Sequence, residues 1–227
     1  MKQRLLTLGL ILTLCSPATA LAQQEPITAD IVYFYQITPS ARSGSVAQES
    51  LSILENALRK QRSNDSILIY QGKTDTRNFV ALTSGSVSQQ TNQSGWITAL
   101  TKDLSLKAPD SRAFVLKSTF LTGQPKLRPD PSSLVVISHV DSDPKQRELN
   151  PPLFNQLNQQ LTGQPGFKGL QVWTWDARTN HWTVIEAWDS ADSRERANRD
   201  PRIASLWDNI YKHAAAPKSL EMFRLAN

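Results

Sequence analysis

The sequence lies on itself at one offset, and that offset limits what the chain can fold into. At a shift of 103 residues Ile31 falls on Leu134, and the apolar run Ile31–Ile37 overlies Leu134–Val140. Leu51, Leu54 and Leu58 fall on Phe154, Leu157 and Leu161. Ile67 falls on Leu170, Tyr70 on Trp173, Phe79 on Trp182 and Leu82 on Ile185. Leu100, Leu104 and Phe120 meet Ile203, Trp207 and Phe223 with no gap. Identities are few, so what repeats is the hydrophobic pattern. The period is too long for a solenoid unit, which runs at roughly 20–50 residues, and reads as duplication of a whole domain.

Each copy reads as strand, helix, strand, strand, helix, strand. In the second copy Leu134–Val140 is rich in β-branched residues. Asn150-Pro151-Pro152 offers a helix cap and two first-turn prolines, and Leu153, Leu157 and Leu161 follow at helical spacing before Gly163 and Pro165. Leu170–Trp175 and Trp182–Trp188 read as strands joined by a hairpin at Asp176–Asn180. Ser190 opens a charged helical stretch that Pro201 interrupts, and Ile203, Leu206, Trp207 and Ile210 give one apolar helix face. Leu220–Leu225 returns as a last edge strand. The first copy runs alike, with Ser45-x-x-Gln48 as its capping box.

A βαββαβ sheet covers one face with its helices and leaves the other bare, and strands such as Leu170–Trp175 are apolar on both faces. Two units packed sheet to sheet within one chain satisfy both. The expected fold is therefore α+β, an intrachain barrel made of residues 28–121 and 132–227 with a linker at 122–131. Such a chain is expected to be a monomeric pseudo-dimer.

Residues 1–22 stand apart from this pattern. Lys2 and Arg4 precede the apolar run Leu5–Cys15, and a polar break leads to an A-x-A site ending at Ala22. That is the layout of a secretory signal peptide cleaved after Ala22, and the run is shorter than the roughly 20 residues of a membrane span. The expected location is secreted or periplasmic, with no membrane attachment after cleavage. Cys15 is the sole cysteine, so the mature chain holds no disulfide, thiolate metal site or cysteine nucleophile. Loss of Lys2 and Arg4 takes the net charge from +5 to +3. The remaining cations are scattered among acids, apart from short clusters such as Arg59-Lys60-Gln61-Arg62, and with no basic stripe interleaved with aromatics the pattern does not support nucleic-acid binding.

In the second copy a strand ends in Glu186-Ala187-Trp188 and runs into Asp189-Ser190-Ala191-Asp192-Ser193. Asp200-Pro201 and an amphipathic helix follow, and Pro165-Gly166-Phe167 precedes the second strand. This resembles the antibiotic biosynthesis monooxygenase superfamily, whose members are ferredoxin-like units paired into α+β barrels. The resemblance implies a cofactor-independent monooxygenase acting on an aromatic or quinol-like small molecule, or a non-catalytic relative, small-molecule-binding or structural, that keeps the barrel. The first copy has Thr83 and Gly85 opposite Glu186 and Trp188, so the signature belongs to the second copy alone. The haem-degrading branch uses Asn, Trp and His. Trp188 matches its Trp, but Ala197 and Asn198 stand where its His would fall, and His139 lies near its Asn position. The resemblance therefore does not extend to haem chemistry.

Five of the six tryptophans lie in the second copy. Trp173, Trp175 and Trp188 are candidates to bind a planar substrate; equally, they can be packing. Trp207, on the helix stripe, reads as packing. His139 shares strand parity with Val135 and Ile137 and is the candidate proton acceptor, with Glu186 as a second base or anchor. If Glu186 is buried it needs a cation or donors beside it. His181 and His213 read as turn and helix-end residues, and no cluster has metal-ligand spacing.

Overall fold

Eight antiparallel strands carry the described part of the chain: β1 Ile31–Pro39, β2 Ile67–Gly72, β3 Phe79–Ser84, β4 Ser111–Gly123, β5 Leu134–Asp141, β6 Phe167–Trp175, β7 Arg178–Trp188 and β8 Ser219–Leu225. The computed structural model describes residues 31–39, 67–73, 79–84, 111–124, 127, 132–216 and 219–225, with Ser52, Ile53, Asn56 and Lys102. The expected leader at 1–22, the capping box at Ser45, the helix through Leu51, Leu54 and Leu58, and Gly85 lie outside them. The strands close into one barrel in the order β1-β3-β2-β8-β5-β7-β6-β4. Both halves therefore have their fourth, first, third and second strands in that sequence, and β2·β8 and β4·β6 join them. The fold is α+β, as expected.

Register follows the 103-residue shift closely. Adding 103 to Val32↔Ser84 gives Val135↔Ala187, and adding it to Ile67↔Thr83 gives Leu170↔Glu186; both pairs occur. The outer strands depart by two residues. Ile31 pairs Thr119, but Met222, the shifted counterpart of Thr119, pairs Val136 rather than Leu134. A slip of two keeps every side chain on its original face, whereas a slip of one would reverse them. One expectation is corrected here. β8 is no edge strand, because β5 and β2 flank it on either side, and closure removes the unpaired edge that an open sheet would present.

Three helices cover the outer face of the second half: α1 Asn150–Leu161, α2 Ala191–Asn198 and α3 Pro201–Tyr211. A 3-10 turn, Pro144–Leu149, leads into α1, and Asp143 caps it by accepting from the Lys145 N–H. Asn150 is thus not the cap the sequence suggested, because the chain is already helical before it. Its buried amide donates instead to Ser142 Oγ (2.7 Å) and to the Ile210 carbonyl (3.4 Å), tying α1 to α3. Ser190 does cap α2, accepting from the Ser193 N–H, and Asp200 caps α3 with Pro201 at its first position. Ile203, Trp207 and Ile210 of α3 are buried against Phe154, Leu157 and Leu161 of α1 and Leu134, Val136, Leu170, Val172, Trp182, Val184 and Trp188 of the sheet.

Alternate residues face inward. Val135, Ile137, Trp173, Ile185 and Ala187 form a second cluster with Tyr70 and Val80 of the other half and with Leu127. The β6–β7 turn is tighter than expected: Arg178, Thr179 and Asn180 already belong to β7. β4 likewise continues through Thr122 and Gly123. At Gly123 φ is 106°, and a Cβ there would run into the Leu170 carbonyl oxygen, which accepts from the Gln124 N–H at 2.7 Å. Gly123→Ala should therefore lower unfolding free energy by about 2 kcal/mol or more, from left-handed strain plus a backbone clash. Urea denaturation of the purified variant measures this, and an unchanged midpoint would refute it.

Candidate functional site

Period-two alternation sends the five candidate residues to opposite faces of one sheet. Glu186 and Trp188 of β7 share the outward face with Trp182 and Val184, under the helices. His139 of β5 and Trp173 and Trp175 of β6 point into the barrel. The residues therefore make two groups rather than one site.

The outward group is a clamp. Glu186 is fully buried, and Arg194 of α2, 13% exposed in its side chain, lies over it with Nη2 2.8 Å from Oε1 and Nε 3.2 Å from Oε2. Oε2 also accepts from the Trp188 indole N–H at 3.0 Å. The Trp188 ring is itself fully buried and meets Phe167 edge to face at 5.1 Å. Both carboxylate oxygens are engaged, so the cation and donor that a buried glutamate requires are present. Close by, burial pushes the Tyr211 hydroxyl up to about 12. Arg194 was not anticipated as a partner. The demand for a cation was legible, but its identity depended on where α2 lands.

The inward group is a row of rings and hydroxyls across neighbouring strands. Thr183 of β7 accepts from the Trp175 indole N–H at 2.8 Å and lies 3.3 Å from His139 Nδ1. The hydroxyl oxygen has two lone pairs, so it can accept from Nδ1–H as well as from Trp175, and in that tautomer Nε2 is the acceptor nitrogen of His139. The Trp175 ring meets His139 edge to face at 5.7 Å and stacks on His181 at 5.0 Å. His181 Nε2 in turn lies 2.9 Å from Asp141 Oδ1. Trp173 packs edge to face on Phe120 of β4, and its N–H reaches Gln171 at 3.4 Å. Burial, reinforced by His181, lowers His139 to about 4, so its imidazole is neutral near pH 7. Burial also lowers His181, against the opposing pull of Asp141.

His181 reads as a turn residue from sequence because the strand is expected to begin at Trp182, and Thr183 lies inside that expected strand without being singled out. Once β7 begins at Arg178, their shared parity with Ile185 points both inward. Phe120 comes from the first half of the chain, and Thr119 beside it bonds Asp176 in the β6–β7 turn at 2.8 Å. The inward group is therefore not confined to residues 132–227.

No family model and no curated protein matches the sequence. Solved structures do. A candidate monooxygenase from Fusobacterium nucleatum aligns with a TM-score of 0.66 at 10% identity, over 88% of this chain and 94% of that one. An anthrone oxidase-like protein aligns at 0.69 and 9%, over 89% and 94%. The haem-degrading enzyme of Listeria monocytogenes aligns at 0.53 and 10%, over 86% and 99%. The chain shares the α+β barrel fold of these proteins. At these identities the likeness establishes the fold of this barrel and leaves its chemistry to the residues.

Two outcomes follow from the contrast between the groups. Glu186→Ala strands Arg194 in a largely buried position and should destabilise the barrel by about 3–5 kcal/mol in urea denaturation; a loss below 1 kcal/mol would remove the clamp reading. For His139 the folded value lies below the unfolded one, so the unfolded chain binds the extra proton and stability falls as pH drops from about 6.5 to about 4. His139→Gln should flatten that part of the stability–pH curve, and an unchanged slope would show that His139 does not produce it.

Proposed function

We propose that this chain is an exported, tandemly duplicated monooxygenase-type barrel that oxidises a phenolic or quinol-like aromatic with molecular oxygen and without a cofactor. The observation that carries the reading is the neutral His139 imidazole, set against Trp175 and bonded through Thr183 in the inward row. The coincidence of strand registers under the 103-residue shift supports the duplication. The Lys2–Ala22 pattern supports export, and Trp173 and Trp175 supply an aromatic wall on which a planar ring can lie.

In such a reaction the ring carbon para to the hydroxyl, which bears two hydrogens in the keto tautomer, becomes a carbonyl. It takes one atom of O₂, and both hydrogens leave with the other atom as water, so the substrate supplies all the reducing power. His139 is too weak a base to take the proton from a phenol outright. A hydroxyl near 10 and an imidazole near 4 differ by about 6 pKa units, or about 8 kcal/mol. Its role is to accept a hydrogen bond from the hydroxyl and share the proton as electron density moves to oxygen. A phenolate beside it would offset part of the burial penalty on the imidazolium.

A second reading, a barrel that binds an aromatic and performs no chemistry, is favoured by one observation: both oxygens of Glu186 and the indole N–H of Trp188 are already committed to each other and to Arg194. That also leaves Trp188 buried rather than lining a haem-sized cleft.

Protein recovered from the exported fraction should begin at Gln23, run as a monomer in light scattering, and consume oxygen above autoxidation with some member of a quinol and anthrone panel. His139→Ala should reduce kcat by about 10²–10⁴-fold. Quenching of tryptophan fluorescence by the same compounds with no oxygen uptake would replace the oxidation reading with the binding one.

A further inference from the structure

The helix side of the sheet, opposite His139, holds a cleft of about 220 Å³ where the Pro144–Leu149 turn and the start of α1 lean over β4 and the β6–β7 hairpin. Burial sorts its lining into layers. Trp182 is 1% exposed and Leu121 and Pro151 are half-buried, giving an apolar floor. Arg147, Glu148 and Thr179 are exposed and form the rim. Arg147 does not hang free. Its Nη1 reaches Thr179 Oγ1 across the hairpin at 3.1 Å, and its Nε meets Glu148 Oε1 at 2.8 Å. Trp182 also carries a buried indole N–H that has no hydrogen-bond partner among the described residues.

The geometry points to a binding site for a small apolar zwitterion, an amino acid of the leucine class. The rim presents one cation and one anion side by side, over a floor of Trp182, Leu121 and Pro151 with the half-buried Thr174 beside them. A simple carboxylic acid would set its charge beside Glu148, and a simple amine beside Arg147. A free amino acid carries both charges on atoms two bonds apart, so its carboxylate meets Arg147 and its ammonium meets Glu148 while the side chain lies on Trp182, Leu121 and Pro151. The exposed Arg147–Glu148 pair is individually weak and exchanges partners readily. The cleft is also below the roughly 300–1,000 Å³ of sites that hold drug-sized ligands, which suits a ligand of this size. None of these residues belongs to the inward row, so the site is independent of the oxidation reading.

The test is titration of the full chain with L-leucine, N-acetyl-L-leucine and isoamylamine, followed by NMR of the tryptophan indole N–H signals. The Trp182 resonance, assigned by its loss in Trp182→Phe, should shift with L-leucine. Each one-charge analogue should bind at least about tenfold more weakly, and Arg147→Gln should weaken L-leucine by about tenfold. The same variant should keep its thermal midpoint and any oxygen uptake, because Arg147 is exposed and remote from His139. No shift up to the solubility limit of leucine, equal binding of either analogue, or unchanged binding by Arg147→Gln would each overturn the proposal.

Discussion

A closed barrel asks each strand to serve two layers at once, and the rest of this structure follows from that demand. Alternate residues along most of β5, β6 and β7 go under the helices or into the interior. Closure also explains why both ends of the order need the other half. β8 finds its second partner in β2, and β4 finds its second partner in β6. Neither half-sheet taken alone would have its edge strands paired. The inward row inherits this, drawing Phe120 from β4 and its histidines from β5 and β7.

The two faces of the sheet solve the burial of ionisable groups in opposite ways. Glu186 sits with a guanidinium and an indole N–H around it, in the arrangement a buried charge needs. His139, one sheet-thickness away, is neutral. A group that is desolvated without a counter-charge gives up its charge, and one that has a counter-charge beside it can keep it. The same reasoning separates their uses. A carboxylate whose oxygens are both engaged holds α2 to the sheet, while a neutral imidazole on an aromatic wall can receive a ligand hydroxyl.

Much of this was legible from residue order. Strand parity placed His139 with Val135 and Ile137, and the Ile203, Trp207 and Ile210 stripe was correctly read as core. Trp207 packs, as its helical spacing implied. Asn150 was misplaced because capping propensity is local, and the chain had already become helical at Pro144. His181 was misplaced because turn propensity at Asp176–Asn180 outweighed the extension of β7 through Arg178. Both errors concern where an element begins, and hydrogen bonds from other parts of the chain settle that.

Sequence alone determined the α+β class and which residues alternate along each strand, because these depend on spacing within one segment. It also required Glu186, if buried, to have a positive partner. Tertiary structure decided that the partner is Arg194, that Glu186 and Trp188 lie on the opposite face from His139 and Trp175, and that Phe120 joins the inward row. Those outcomes depend on which strand pairs with which and where each helix lands. Contacts between residues such as Phe120 and Trp173 are made by closure of the barrel, and no local pattern encodes that step.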